Sequence, residues 1–354
     1  MSRAEAGGRK TGPRVLSRRA SEITPERVAW VWPGRIPGGK LTILLGNPGQ
    51  GKSLLTLAVA AAMTRGAGWP DAPEFRADPA DVLLASAEDD AADTIRPRAE
   101  AAGVDLARLH VIEGVVHADG RHVLDVCTDV EPLRQLAKDT PGARLLILDP
   151  LAAFMLGPDS HKSCEVRAAL APLAALAQET GLAILAVHHM RKSPGQAIHR
   201  GLGSIAFTAA ARSVLGIGPD PANPTGDRRL LVPVKGNLSA PAPVLAFSVR
   251  PNPDGVPIVV WEGGTVEGVD ADAVLGGFTD GTPGPDPEAE AEAAEFLRGE
   301  LAEGPKPTSD LLPRAVSLGI SKGSLRRAKK SLGVLSRRVG FGAEGSWEWV
   351  LPEA

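Results

Sequence analysis

Apolar residues in the first half of this chain fall into short, nearly unbroken runs separated by stretches of helical periodicity. Residues 41–45, 81–87, 109–112, 144–149 and 182–187 each have the length and composition of a strand buried on both faces. Between them, residues 54–63, 91–102, 130–138 and 166–180 read as helices. Buried strands alternating with helices predict an α/β fold with a mainly parallel sheet covered on both sides. An opening segment, residues 23–39, brings Trp30, Trp32 and Pro33 ahead of the first strand.

The pattern changes after Arg212. Short strands are predicted at residues 213–217, 230–234, 244–249 and 258–261, separated by Pro, Gly and Asn turns, which suits antiparallel strands added to one edge of the sheet. Residues 263–287 are rich in Gly, Pro and Asp and read as a linker. Beyond them come predicted helices at 288–301, 309–318 and 321–332, then a β-hairpin from 334–339 and 346–351. Helices closed by a hairpin in so short a span suggest a small winged-helix-like domain. The expected organisation is therefore a disordered basic leader (1–22), a main domain (23–262), a linker (263–287) and a C-terminal domain (288–354).

Composition narrows this picture only slightly. The formal net charge of -3 leaves no global footprint for nucleic acid, so any basic surface must be local. The cysteines, Cys127 and Cys164, have no partners at metal-ligand spacing and point to a reducing, cytoplasmic setting. No apolar stretch is long enough to span a membrane, and no membrane partner is expected. The leader carries Arg3, Arg9, Lys10, Arg14, Arg18 and Arg19 but lacks the apolar segment of a secretory signal.

The chemistry begins at Gly46-Asn47-Pro48-Gly49-Gln50-Gly51-Lys52-Ser53, which fits the phosphate-loop pattern G-x-x-x-x-G-K-[ST] at every fixed position. A strand precedes it and a helix, starting near Leu54, follows it. That order lets backbone amides at a helix N-terminus face an anion. Lys52 is expected on the β- and γ-phosphates and the Ser53 hydroxyl on Mg²⁺, which implies ATP and Mg²⁺ as ligands. Asp149 closes the fourth strand, where a Walker-B aspartate holds Mg²⁺ through a water. Glu88 and Asp89 close the second strand on the same rim, and Glu88 is the expected base for the attacking water. His188 and His189 close the fifth and are candidate sensors of the γ-phosphate.

Two basic segments are candidates for contact with a nucleic-acid backbone. The first follows the fifth strand and contains Arg191, Lys192 and Arg200. The second is the 321–332 helix, with Arg326, Arg327, Lys329 and Lys330 on its polar side; a protein-binding role fits that face almost as well. Arg212 and Lys235 flank late strands, and either is a candidate cation acting across a subunit boundary, with Arg212 preferred.

With these residues in place, residues 23–262 resemble the RecA-like P-loop ATPases of the RepA branch, hexameric replicative helicases of plasmids and phages. The resemblance rests on the 46–53 loop, Ala87-Glu88-Asp89, Leu148-Asp149-Pro150, His188-His189, and Gly203-Ser204 through Arg212-Ser213. It implies Lys52 and Ser53 on nucleotide and Mg²⁺, Glu88 as catalytic base, and Asp149 as Walker-B acid. It also implies His189, ahead of His188, as sensor and Arg212 in trans. A homo-hexamer with ATP between subunits, single-stranded DNA in a central channel and replication proteins as partners would follow. The basic C-terminal module lies outside the minimal RepA-like core and resembles the appendage of mobile-element ATPases.

Overall fold

In the computed structural model the apolar runs become strands of one nine-stranded sheet. Residues 15, 17–157, 163–190, 205–224, 226–276, 287–302, 304–317, 320, 322–339 and 346–352 are described. The chain divides into two compact units between Gly277 and Phe278. In the first, β1 (Leu41–Gly46), β2 (Asp81–Ser86), β3 (Leu109–Val111), β4 (Ala143–Asp149), β5 (Ala183–His189) and β6 (Ser213–Pro219) run parallel. Strands β7 (Arg228–Gly236), β8 (Leu245–Pro251) and β9 (Pro257–Trp261) continue the sheet antiparallel beyond β6. The spatial order is β9-β8-β7-β6-β1-β5-β4-β2-β3, so β5 separates the phosphate-loop strand from the strand bearing Asp149.

Both faces of the parallel strands are covered, which explains their unbroken apolar runs. On one face, Ile43, Leu45, Leu146, Leu148, Ile184 and Ala186 pack with Leu170, Leu173 and Leu176 of α4 (Ser163–Thr180) and Leu133 of α3 (Val130–Asp139). On the other, Leu44, Leu145, Ile147, Leu185 and Val187 meet Leu55, Val59 and Met63 of α1 (Lys52–Arg65) and Ala99 of α2 (Arg96–Ala101). Each fully buried leucine or isoleucine contributes about 1.5–3 kcal/mol over leaving it exposed. The helix expected over 91–102 opens as a π-helical turn at Ala91–Ile95, capped by the Asp90 carboxylate, which accepts from the Ala92 and Asp93 amides. Among the described residues, no helix is long and apolar enough to cross a membrane.

The opening segment forms a small hairpin, Trp30–Trp32 with Ile36–Pro37. The fully buried Arg35 fixes it: its Nε and Nη2 donate to Asp71 Oδ2 at 3.0 and 2.8 Å, and Nη2 also donates to Pro243 O at 2.5 Å. Trp32 donates to Asp71 Oδ1 at 2.7 Å and stacks on Trp69 at 4.6 Å between ring centroids.

The composition of residues 263–287 suggested a linker throughout, and the structure corrects its first half. Val266 donates to Val244 O, and α6 (Ala271–Gly276) buries Val274 and Leu275 against the main sheet. Two glycines make the close approach possible. A Cβ on Gly216 would lie 2.5 Å from Leu275 Cδ1, and one on Gly218 would lie 2.5 Å from Val274 O.

The second unit contains α7 (Pro287–Leu301), α8 (Thr308–Ser317) and α9 (Lys322–Ser331). An antiparallel three-stranded sheet of β10 (Lys306–Pro307), β11 (Leu335–Val339) and β12 (Ser346–Val350), in the order β10-β12-β11, completes it. Its own core gathers Ala293, Leu297, Leu311, Leu325, Ala328 and Val334.

Removing one partner of a buried ion pair strands the other charge in an apolar setting, at a cost of about 3–5 kcal/mol. Asp71→Ala is therefore expected to lower the urea midpoint of the first unit by that equivalent. An unchanged midpoint would show that Arg35 is not held by this carboxylate.

Candidate nucleotide site

The phosphate loop sits at the carboxyl end of β1, and its shape depends on glycine. Gly49 and Gly51 have φ of 75° and 83°, in the left-handed region that side chains rarely adopt. Gly51 is the residue before the first turn of α1, so the amides that begin the helix open directly off the loop. At Gly46 the reason is space, because a Cβ there would lie 2.9 Å from Ile217 O. Lys52 folds back over the loop and donates from Nζ to Gly46 O at 2.9 Å and Asn47 O at 2.8 Å.

Strand register and side-chain alternation bring the other groups to this place. Ser86 pairs with Asp149 across β2 and β4, and Gly46 pairs with His189 across β1 and β5. The side chains of Leu84, Ile147 and Val187 pack on the α1 face, so two residues onward Ser86, Asp149 and His189 point to that same face. Neither histidine lies past the end of its strand, as the sequence suggested; β5 runs through both because β1 supplies a ladder as far as Gly46.

Alternation separates the two histidines. His188 is buried on the opposite face, its ring 4.3 Å from that of Phe207 between centroids. His189 faces the loop, with Nε2 3.8 Å from Glu88 Oε1, a near approach longer than a hydrogen bond. Its Nδ1 is buried without a hydrogen-bond partner among the described residues. Burial, reinforced by the Lys52 charge and opposed by Glu88, holds its pKa below the ordinary imidazole value.

Burial also dominates the two charges nearest the loop. Asp149 is pushed up to about 6, mainly by desolvation and partly offset by a hydrogen bond with Ser53. Lys52 is pulled down to about 8 by desolvation, with Asp149 and then Glu88 opposing the shift. A hydroxyl and a carboxylate sharing one hydrogen bond beside a lysine form an oxygen donor set suited to a hydrated Mg²⁺ ion, so the residues present fit the implied metal and triphosphate.

The three acidic residues after β2 have separate tasks. Asp90 caps the following helix. Asp89 accepts from Arg98 Nη1 at 3.1 Å, and its amide donates to Ser86 Oγ at 3.3 Å. Glu88 alone extends toward His189, with its side chain 64% exposed. Ser53, Thr56, Ser86, Asp89, Arg98 and Asp149 line one small pocket. Ser86 and Arg98 carry no motif and were missed; the nine-residue separation of Asp89 and Arg98 is the only trace of their pairing.

Other candidates lie elsewhere. Arg212 is exposed and precedes β6, whose first residue pairs with Thr42 near the start of β1. Four strand steps separate Thr42 from Gly46, so Arg212 stands at the opposite rim, about 13 Å or more from its own phosphate loop. It does not reach this site. Lys235 instead donates to the carbonyls of Thr208, Ala209 and Ala211 at 2.7, 3.3 and 2.8 Å. That capping of α5 (Ile205–Ala210) commits its ammonium within its own chain, so the cross-subunit expectation for Lys235 is corrected. Arg191, Lys192 and Arg200 lie outside the described residues, as do Gly203 and Ser204.

A family model described as an AAA domain matches residues 9–195, just over half of the chain. That span includes the phosphate loop, Glu88, Asp149 and both histidines. No curated protein matches the chain.

The two buried charges set a pH window for the nucleotide-free site. Asp149 must lose its proton to hold Mg²⁺, so metal-dependent nucleotide binding is expected to weaken as pH falls through about 6. Lys52 must keep its proton to attract phosphate, so binding should also weaken as pH rises through about 8. Titrating the affinity of a fluorescent ATP analogue with Mg²⁺ from pH 5 to 9 tests both limbs. Asp149→Asn should weaken binding and remove the acid limb; an acid limb that survives would belong to another group.

Proposed function

The chain belongs to the AAA-domain family of P-loop ATPases, and on that premise we propose that it is an ATP-driven DNA helicase or translocase of the RepA type. The setting would be replication of a plasmid, phage or mobile element. The observation that carries the ATPase half is the convergence of Lys52, Ser53, Glu88, Asp149 and His189 beside one phosphate loop. The DNA half rests on the resemblance of the ordered motif set.

In this reading the Lys52 ammonium leaves the carbonyls of Gly46 and Asn47 for the β- and γ-phosphates, exchanging neutral acceptors for charged ones. Ser53, and Asp149 through a water, would hold Mg²⁺, which would supply neutralisation of phosphate charge when bound. Glu88 accepts a proton from the attacking water through its carboxylate oxygen. Its neighbours cannot replace it, because Asp89 is committed to Arg98 and Asp90 to a helix cap. His189, neutral near pH 7 and offering a buried Nδ1, reports the presence of the γ-phosphate to β5 and to the basic segment that follows it. Arg212, remote from its own loop, completes the site of an adjacent subunit in a homo-hexamer.

A second reading, a nucleotide-switched DNA-binding regulator without unwinding activity, is favoured by one observation: the basic residues of the second unit fold around a separate core. Deletion after Gly276 distinguishes the two, since a motor keeps DNA-stimulated ATPase and a switch loses DNA binding. The boundary falls there because α6 belongs to the main sheet.

Glu88→Gln should retain ATP binding and lower turnover by about 10²–10⁴-fold, the usual range for removing a general base. Steady-state ATPase with and without single-stranded DNA, alongside analogue binding, is the measurement. Unimpaired hydrolysis would remove Glu88 from the mechanism, and ATPase indifferent to DNA would remove the motor.

A further inference from the structure

The second unit as a whole is not basic, with ten Lys and Arg against twelve Asp and Glu over residues 278–354, but its charges are segregated along the chain. Residues 306–350 hold nine Lys and Arg against three Asp and Glu, in a chain whose net charge is -3. Part of that charge is already used, since Glu300 takes both Lys306, at 3.2 Å, and Arg314, at 2.9 Å. On α9 the situation differs. Leu325 and Ala328 are buried in the core, while Arg326 and Lys330 are exposed and have no acidic partner among the described residues. These two cations stand one helical turn apart, with Lys329 beside them.

Lys329 joins the helix to the hairpin. It donates to Ser336 Oγ, and its ammonium lies 4.4 Å from the centroid of the Trp349 ring. Cross-strand partners share a sheet face, and the register pairs Ser336 with Trp349 and Arg338 with Trp347. Trp347 therefore follows Trp349 on the same face at a two-residue step, about 7 Å further from Lys329. Trp349 is partly covered, whereas Trp347 is 55% exposed. An exposed indole costs solubility, and no contact among the described residues of the second unit explains it.

We propose that this face, formed by Arg326, Lys329 and Lys330 of α9 and by Trp347 of the hairpin, binds single-stranded nucleic acid. The cations follow the phosphate backbone, and a base stacks on the Trp347 ring. Charge complementarity selects a polyanion. The indole selects an unpaired one, because a base inside a duplex already has both faces stacked whereas a free base offers a π-face of any sequence. The surface belongs to the second unit alone, which holds none of the nucleotide-site residues, and would hold the strand whether or not ATP is bound.

The test uses the full chain without nucleotide, with fluorescence anisotropy of a labelled oligo(dT) and of a blunt duplex of equal length, over a range of NaCl concentrations. Trp347→Ala is expected to weaken oligo(dT) binding about 10-fold, the scale of one lost stacking contact, and to leave duplex binding unchanged. Trp347→Phe, which keeps an aromatic face, should recover most of the loss. The Arg326→Gln/Lys330→Gln variant should flatten the salt dependence by about 1.4 in log–log slope, as expected for two phosphate contacts.

Equal losses for both nucleic acids, failure of phenylalanine to rescue, or a Trp347→Ala affinity equal to wild type would each overturn the proposal. Preference for the duplex would do the same and reassign the face to groove binding. ATPase without DNA should not change in any of these variants. A chain that hydrolyses no ATP would therefore refute the motor without touching this surface, and the converse also holds.

Discussion

Two-residue alternation along strands covered on both faces is the constraint on which this molecule is built. Once Leu44, Ile147 and Val187 are committed to the α1 side, the side chains two positions later must follow them. Asp149 and His189 therefore reach the phosphate loop without any local device to aim them. A one-residue slip of β5 against β1 would send His189 to the α4 face and bring His188 to the loop. The buried leucines and isoleucines that resist such a slip are in this sense part of the catalytic geometry.

Burial gives the site its electrostatic character as well. Lys52 and Asp149 both lie where water is scarce, and each is displaced toward its neutral form even though the other partly offsets the shift. Their separation in pKa leaves both ionised around neutral pH. Glu88, at the exposed margin, belongs to a different environment although it is only two positions beyond the end of β2. Its freedom of approach depends on neighbours that are already occupied, Asp89 by Arg98 and Asp90 by backbone amides.

Much of this was legible in the sequence because it is local. The glycine pattern of the phosphate loop, the apolar runs and the acidic strand ends each fit within a short window, and the edge strands announced themselves through their turns. What escaped depends on distant partners. Val274 and Leu275 of α6 are too few to show a period, and their burial follows from glycines at 216 and 218 in another strand. Lys235 looked like a free cation because the three carbonyls it caps lie 24 to 27 residues away. The difference between His188 and His189 was accessible in principle from the parity of Val187, but only once the strand was known to continue through both.

Arg35 joins parts of the chain that are far apart in sequence, with Asp71 lying 36 residues away and Pro243 lying 208 residues away. During synthesis the guanidinium and its first partner leave the ribosome long before Pro243 does. At 5–20 residues per second, the intervening stretch represents roughly 10–40 seconds of translation. Throughout that interval the opening hairpin lacks its last acceptor, and for most of it the phosphate-loop strand lacks β6, its outer neighbour. The nascent chain thus passes through a defined period in which a nucleotide loop exists before the sheet around it is closed. Chaperone engagement and proteolytic sensitivity should be concentrated in that period.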